Sequence, residues 1–251
     1  MCDTTKNKKG TEILQNVDKR TFLKHVTASA VGLGFAAATS RHVFANKVLP
    51  PPLPENVISA DEALVRLMAG NTRYVAGQSS PLEFSEDRAT LVSGQNPYAS
   101  ILSCSDSRVS PEFCFDEQRG DLFVARVAGN YLTTDFVATL EYAAAVLRTP
   151  LIMVLGHQNC GAVRAAIDAV DNNKQFPGHI QSLASALAPA VRAAKNIPGD
   201  RFGNVVRMNV IRNVDKLRKQ PPILSKLVSE RKILVVGGVY SLKTGKVELV
   251  A

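Results

Sequence analysis

LIMVLGHQNC, residues 151–160, decides the fold class of this chain. Its first six residues are apolar or glycine without interruption, which is typical of a short strand buried on both faces of a sheet. Residues 160–170 then show the spacing of apolar residues that a helix requires. A buried strand followed directly by a helix indicates an α/β protein with a parallel sheet.

Strands and helices alternate along most of the remaining chain. A helix is expected over residues 59–75, where Ser59 and Glu62 have the spacing of a capping box. Another is expected over residues 133–148, and two or three more between about 179 and 230. Further strands are expected at residues 98–103, 121–128, 232–242 and 246–250. The sequence therefore predicts an α/β fold with a mostly parallel central sheet flanked by helices.

The first part of the chain, residues 1–45, is predicted to be an export leader. The segment KRTFLK resembles a twin-arginine export signal in which Lys19 replaces the first arginine. An apolar stretch at residues 26–40 follows, and then a small-x-small pattern at residues 43–45 that is typical of a cleavage site. The apolar stretch is shorter than the ~20 residues of a membrane-spanning helix. We expect a periplasmic or otherwise exported protein; a cytoplasmic protein with an N-terminal extension is the alternative.

The charge of the chain does not indicate a nucleic-acid partner. The formal net charge is +8, and residues 1–45 hold seven Lys or Arg and three acids, so half of the excess lies in the leader. A proline-rich linker, residues 46–57, leads to a domain over residues 58–251 with no cluster of basic residues and interleaved aromatics. The spacing of the four cysteines is not that of a small disulfide scaffold.

Two short motifs place Cys and His side chains at strand ends. In SCSDSR, the residues Cys104, Asp106 and Arg108 are two positions apart, so their side chains point the same way in an extended chain. In GHQNC, His157 ends the buried strand and Cys160 begins the next helix. Because the carboxyl ends of parallel strands meet at one edge of a sheet, we expect the two motifs to converge.

The set of Cys104, His157 and Cys160 suits a zinc ion. Zinc prefers such sulfur and nitrogen ligands, and three protein ligands leave a fourth position for water, as catalytic zinc sites require. The helix N-terminus at Cys160 favours its thiolate form. Taken singly, each residue has a simpler explanation, since a buried cysteine usually packs as a small apolar residue and an Asp beside an Arg is usually a structural ion pair. Their joint position at strand ends favours a metal site.

The chain resembles the β-class carbonic anhydrases. The Cys-x-Asp-x-Arg motif of that family appears here as Cys104, Asp106 and Arg108, and its His-x-x-Cys motif as His157 and Cys160. The segments GNTRYV, DLFVARVAGN, LEYA and VVGGVYSLKTGKVE belong to the same resemblance.

This resemblance covers about residues 59–248 and implies an activity and a cofactor. It implies a carbonic anhydrase, a lyase that reversibly hydrates carbon dioxide to bicarbonate and a proton by means of zinc-bound hydroxide. The two cysteines and the histidine would hold one Zn2+ per subunit. Asp106, kept in place by Arg108, would orient the hydroxide.

The resemblance also implies a substrate pocket and an assembly. Gln95, nine residues before Cys104, matches a glutamine that hydrogen-bonds substrate in one branch of the family. Phe123 and Tyr142 match aromatics that line an apolar pocket completed by a partner subunit, although core packing is the simpler explanation of both. The family forms homodimers and dimers of dimers, in which an N-terminal helical arm, here residues 59–77, wraps the partner.

Three alternatives to this function remain. The same fold could hydrolyse carbonyl sulfide or carbon disulfide. The chain could instead be a non-catalytic zinc-binding module with Asp106 as fourth ligand, or it could use a cysteine nucleophile paired with His157. If the chain is a carbonic anhydrase, Asp106 faces either Arg108 or the zinc in the resting protein.

Overall fold

The structure is a computed structural model that describes residues 53–81 and 86–251. The predicted leader, residues 1–45, and most of the predicted linker lie outside the described residues and stay predictions. Among the described residues, no helix combines the length and the apolar character needed to cross a membrane.

A five-stranded sheet forms the centre of the protein. Its strands lie in the order β2-β1-β3-β4-β5, and all neighbouring pairs are parallel except β4 and β5. The strands are β1 (Ala99–Ser103), β2 (Leu122–Arg126), β3 (Leu151–His157), β4 (Leu234–Tyr240) and β5 (Val247–Leu249). Every residue of β3 is buried, as its unbroken apolar run predicted. The predicted mostly parallel sheet is confirmed.

Helices cover both faces of this sheet. The helices α1 and α3 pack with one face, and α4, α7 and α8 pack with the other, where α5 and α6 extend the layer. The bounds are α1 (Ala60–Val75), α2 (Glu86–Leu91), α3 (Pro111–Cys114), α4 (Thr134–Ala145), α5 (Gly161–Asp171), α6 (Ile180–Ala193), α7 (Arg201–Arg218) and α8 (Leu224–Ser229), with a short 3-10 helix at Pro54–Asn56. Three helices therefore occupy the region where two or three were predicted.

The predicted capping box begins α1. The Ser59 hydroxyl accepts a hydrogen bond from the Glu62 amide at 3.2 Å, and the Glu62 carboxylate accepts one from the Ser59 amide at 2.8 Å. Ala63 and Leu67 then lie one helical turn apart and are fully buried against the sheet. The helix is thus fixed at its start by polar contacts and along its length by apolar ones.

Helix α7 lies close to β3 and β4, because glycines face it. A Cβ atom added at Gly156 of β3 would lie 2.6 Å from Val210 Cγ2, and one added at Gly237 of β4 would also meet Val210. Real Cβ atoms do not approach other atoms so closely, so any larger residue at either position would push the helix outward. The close approach therefore limits the distance between α7 and the sheet around Val210.

A buried polar cluster ties α1 to the amino ends of β1 and β2. Arg66 of α1 donates hydrogen bonds to Glu117 at 3.1 Å and to Asp121 at 2.9 Å, and its guanidinium lies 4.1 Å from the centre of the Tyr98 ring. Asn56 donates to Asp121 at 3.0 Å. Burial raises the pKa of Glu117 to about 7, and Asp121 adds to the rise, while Tyr98 and Arg66 oppose it.

We expect Glu117 to make the stability of the protein depend on pH. Because its pKa is higher in the folded state than the unfolded value of about 4.5, the folded state binds more protons between pH 4.5 and 7. The contribution of Glu117 to the free energy of unfolding therefore falls as the pH rises through that window, by up to about 3 kcal/mol. Urea unfolding of wild type and Glu117→Gln at several pH values checks this, and the variant should gain stability relative to wild type as the pH rises.

The matched control is Glu55→Gln, which changes an exposed glutamate beside Asn56. The difference in the free energy of unfolding between Glu55→Gln and wild type should stay nearly constant across the same pH range. A constant difference for Glu117→Gln as well would contradict the prediction.

Candidate metal centre

The order of the strands opens a crevice at one edge of the sheet. The chain passes from β1 to β2 on one side and then crosses to β3 on the other side of β1, so β1 and β3 are neighbours. The connections that leave the carboxyl ends of two such strands diverge, and α/β proteins bind ligands in the space between them. Cys104 directly follows β1 and His157 ends β3, which places both side chains at this point.

The two sulfurs and the imidazole converge there. The ligand atoms of Cys104, His157 and Cys160 all lie within 4.8 Å of one another, and all three residues are buried. The two Sγ atoms are 4.0 Å apart, about twice the length of a disulfide bond, so both cysteines are free. The convergence that the sequence motifs predicted is therefore present in the structure.

The His157 ring is oriented for a ligand. Its Nδ1 lies 2.8 Å from the carbonyl oxygen of Gln158, which fixes that nitrogen as the N–H donor and leaves a lone pair on Nε2. Nε2 is buried and has no hydrogen-bond partner among the described residues. A buried, unpartnered nitrogen beside two sulfurs is what a bound metal ion would satisfy.

The paired sulfurs also favour a cation. The hydrogen bond with Cys160 lowers the pKa of Cys104, and the amide of Gly129, 3.2 Å from the Cys104 sulfur, lowers it further. The same bond with Cys104, together with burial, raises the pKa of Cys160. The two cysteines thus share one proton until a positive charge stabilises two thiolates. Two sulfurs of this kind and one imidazole nitrogen are ligand atoms that fit Zn2+.

Asp106 faces Arg108 in this structure. Arg108 donates from Nε to Asp106 Oδ1 at 2.8 Å and from an Nη to Oδ2 at 2.7 Å, which is a two-point ion pair. These hydrogen bonds hold the pKa of Asp106 well below its usual range. Oδ2 also lies 3.9 Å from His157 Nε2, so the ionised carboxylate borders the three converging ligand atoms.

Comparison with known proteins places this arrangement in a family. The family profile described as carbonic anhydrase matches residues 99–247. A carbonic anhydrase of Mycolicibacterium smegmatis is 35% identical over 184 residues, which are 73% of this chain and 89% of that protein. The chain belongs to the β-carbonic anhydrases.

Solved structures of the β class share the fold. The β-carbonic anhydrase CcaA superposes with a TM-score of 0.60 at 25% identity, over 76% of this chain and 92% of the other. The Coccomyxa β-carbonic anhydrase, solved in complex with acetazolamide, gives a TM-score of 0.56 at 26% identity, over 76% and 82% of the two chains. The resemblance that the sequence motifs carried is therefore confirmed at the level of family and fold.

Arg126 is a site residue that the sequence analysis of this carbonic anhydrase missed. It ends β2, opposite Ser103 in the sheet, and donates hydrogen bonds to the carbonyl oxygens of Cys104 at 2.9 Å and of Asp106 and Val109 at 2.8 Å. One guanidinium thus holds three points of the loop that carries the first motif. The only signal in the sequence was a charged residue at the end of an otherwise apolar strand.

A second link joins the two motifs. An Nη of Arg108 lies 3.4 Å from the carbonyl oxygen of Asn159, in the turn between His157 and Cys160. Asn159 has a φ of +53°, in the left-handed region where Asn is better tolerated than most residues. The first motif therefore contacts the backbone of the second.

The predicted pocket residues of this carbonic anhydrase lie apart from the predicted metal ligands within one chain. Gln95 is exposed and precedes β1, so roughly 13 Å of strand separates it from Cys104 at the other end. Phe123 and Tyr142 contact each other, with ring centroids 6.3 Å apart. Phe123 is partly buried and Tyr142 is exposed, so packing inside a single chain does not explain why an aromatic residue occupies position 142.

We expect Arg126→Lys to loosen the loop that carries Cys104 and Asp106. A lysine keeps the charge but lacks the planar fork of donors that reaches three carbonyl groups. The free energy of unfolding, measured in urea, should fall by about 1–2 kcal/mol. Arg207→Lys is the control, because Arg207 also makes a two-point contact, to Glu248 on the surface. Equal effects of the two substitutions would rule out a special role for Arg126.

Proposed function

We propose that this chain catalyses the reversible hydration of carbon dioxide to bicarbonate and a proton, with one Zn2+ held by Cys104, His157 and Cys160. The observation that carries the proposal is the ion pair of Asp106 with Arg108, placed beside the three converging ligand atoms. A structural zinc site needs four protein ligands. A carboxylate that is held by arginine is not free to be the fourth.

Each ligand contributes in a defined way. Cys104, His157 and Cys160 would hold a zinc ion that would lower the pKa of a coordinated water toward ~7 and so supply hydroxide near neutral pH. His157 offers the Nε2 lone pair, because its Nδ1 is engaged with the Gln158 carbonyl. Cys104 and Cys160 supply two buried sulfurs that a cation converts to thiolates.

Asp106 orients the nucleophile in this proposal. As an ionised carboxylate it accepts a hydrogen bond from the attacking oxygen and directs a lone pair of that oxygen at the carbon of carbon dioxide. The depressed pKa of Asp106, caused first by its hydrogen bonds from Arg108, keeps the carboxylate ionised at neutral pH. Arg108 is a positioning residue, since it sets the rotamer of Asp106 and also contacts Asn159 of the second motif.

We also propose that the working unit is a homodimer, or a dimer of such dimers. β2 pairs only with β1 in the described part of the chain, so one edge of the sheet is open. Tyr142 and Val146 are exposed apolar side chains at the end of α4, the helix that packs on β2. A second chain on this edge would cover both, and it could bring Gln95, Phe123 and Tyr142 to a metal site that they do not reach within their own chain.

The function is tested by zinc content and by stopped-flow carbon dioxide hydration. Wild type should bind one zinc per chain, hydrate carbon dioxide and be inhibited by acetazolamide. Asp106→Asn should keep the zinc and lose turnover by about 100-fold, because an amide cannot replace the carboxylate as acceptor. Asp168→Asn is the control, since Asp168 forms a surface pair with Lys174, and it should leave turnover unchanged.

Cys160→Ser tests the ligand set separately. It should lose zinc, since a serine hydroxyl is a poor zinc ligand. A zinc-replete and fully active Cys160→Ser protein would exclude the proposed ligands. Zinc-loaded wild type without hydration activity at any pH would favour a binding module instead.

The homodimer is tested by light scattering after size-exclusion chromatography. Val146→Glu places a charge at a position that is 60% exposed in one chain, and burying it in an interface would be costly. We expect a shift from dimer toward monomer and a fall in kcat/KM. Ile180→Glu on α6, at a position 49% exposed, is the control and should change neither the mass nor kcat/KM. A wild-type monomer with full activity would contradict the proposal.

A further inference from the structure

Two buried asparagines on α7 have no role in the proposed reaction. Asn209 and Asn213 are 4% and 3% exposed, on the face of the helix that packs against the sheet. A buried amide costs free energy unless its donors and acceptors are satisfied, so such residues usually serve a specific hydrogen-bond network. Their network leads to the turn that follows β2.

That turn contacts a predicted zinc ligand. The Gly129 amide donates a hydrogen bond to Cys104 Sγ at 3.2 Å, from a turn closed by the Asn130 amide on the Val127 carbonyl at 2.9 Å. Gly129 has a φ of +89°, as the third position of a type II turn requires. A Cβ atom there would also lie 3.0 Å from the Cβ of Ala162, so the packing favours glycine in addition to the backbone conformation.

Asn209 holds the same turn from its other side. Its Nδ2 donates a hydrogen bond to the Gly129 carbonyl oxygen at 2.9 Å. Because glycine rotates freely about its backbone bonds, an anchor on its carbonyl restricts the direction of the turn and therefore of the Gly129 amide. The anchor comes from α7, whose distance from the sheet is set by the glycines of β3 and β4.

Asn213 fixes which way Asn209 points. The Leu132 amide donates to Asn213 Oδ1 at 3.2 Å, so the amide nitrogen of Asn213 faces Asn209. That nitrogen donates to Asn209 Oδ1 at 3.0 Å, which leaves Nδ2 of Asn209 directed at Gly129. The donors thus run in one direction from Leu132 to the turn.

We propose that Asn209, oriented by Asn213, is a positioning residue for metal binding. It holds the 127–130 turn so that the Gly129 amide donates to the Cys104 sulfur. An N–H donor stabilises a metal-binding thiolate, and loss of a partner of this kind typically weakens metal binding 10–100-fold. The inference rests on the proposed function in one respect, that Cys104 is a zinc ligand.

Zinc affinity and cadmium NMR test the inference on the full chain. In Asn209→Ala, competition with a chelator should show zinc binding about 10-fold weaker than in wild type. In wild type loaded with cadmium-113, the Gly129 amide proton should show a scalar coupling to the metal through the N–H···S–Cd path. That coupling should be lost in Asn209→Ala, and a merely structural role would not remove it.

The matched control is Asn204→Ala on the same helix. Asn204 also donates two side-chain hydrogen bonds to backbone carbonyls, but these belong to Ile197 and Pro198 and not to the 127–130 turn. Asn204→Ala should lower the stability of the protein without changing its zinc affinity or the cadmium coupling.

If Asn209→Ala does not fold, Asn213→Ala tests the inference instead. This variant keeps the Nδ2 donor of Asn209 but removes the side chain that orients it. It should weaken zinc binding and reduce the coupling.

The outcomes separate the two proposals. Wild type that binds no zinc would overturn the proposed function. Wild type that binds zinc, with unchanged affinity and coupling in the asparagine variants, would overturn only the inference about Asn209. Cadmium-loaded wild type without the Gly129 coupling would also overturn it.

Discussion

Two buried sulfurs, 4.0 Å apart, impose the constraint on which the rest of the site depends. Two thiolates at this distance repel each other in a poorly hydrated place, so they need a cation and hydrogen-bond donors. The fold supplies donors from two directions, an amide of the turn after β2 for Cys104 and the N-terminal amides of α5 for Cys160. The imidazole of His157 offers a lone pair on Nε2 and would add a neutral ligand without further charge.

The negative charge at the site also explains why Arg108 lies beside it. Asp106 carries a negative charge 3.9 Å from His157 Nε2, and Arg108 both neutralises that charge and holds the carboxylate in a fixed direction. Arg126 acts on the backbone of the same loop instead, where it holds three carbonyl groups. One arginine therefore orients a side chain, and the other fixes the path of the chain that carries it.

The convergence of Cys104, His157 and Cys160 could be predicted from sequence because these residues lie at strand ends, and strand ends follow from local apolar patterns such as residues 151–156. Arg126 could not, because its contacts depend on the register of β1 against β2. Asn209 and Asn213 could not either, because about 80 residues separate them from the turn they hold. The proposed roles of Gln95, Phe123 and Tyr142 require a second chain, and the sequence indicated that chain through the family resemblance alone.

The glycines that let α7 approach the sheet have a consequence beyond packing. Gly156 and Gly237 have no side chain and lie among apolar side chains, so nothing in the packing alone connects them with the candidate metal site. Yet they set the distance from the sheet of α7, the helix from which Asn209 donates its hydrogen bond to the 127–130 turn. A substitution at either glycine would therefore also change the candidate metal site. A single methyl group added at Gly156 or Gly237 would move α7, and with it the hydrogen bond by which Asn209 holds the 127–130 turn beside Cys104.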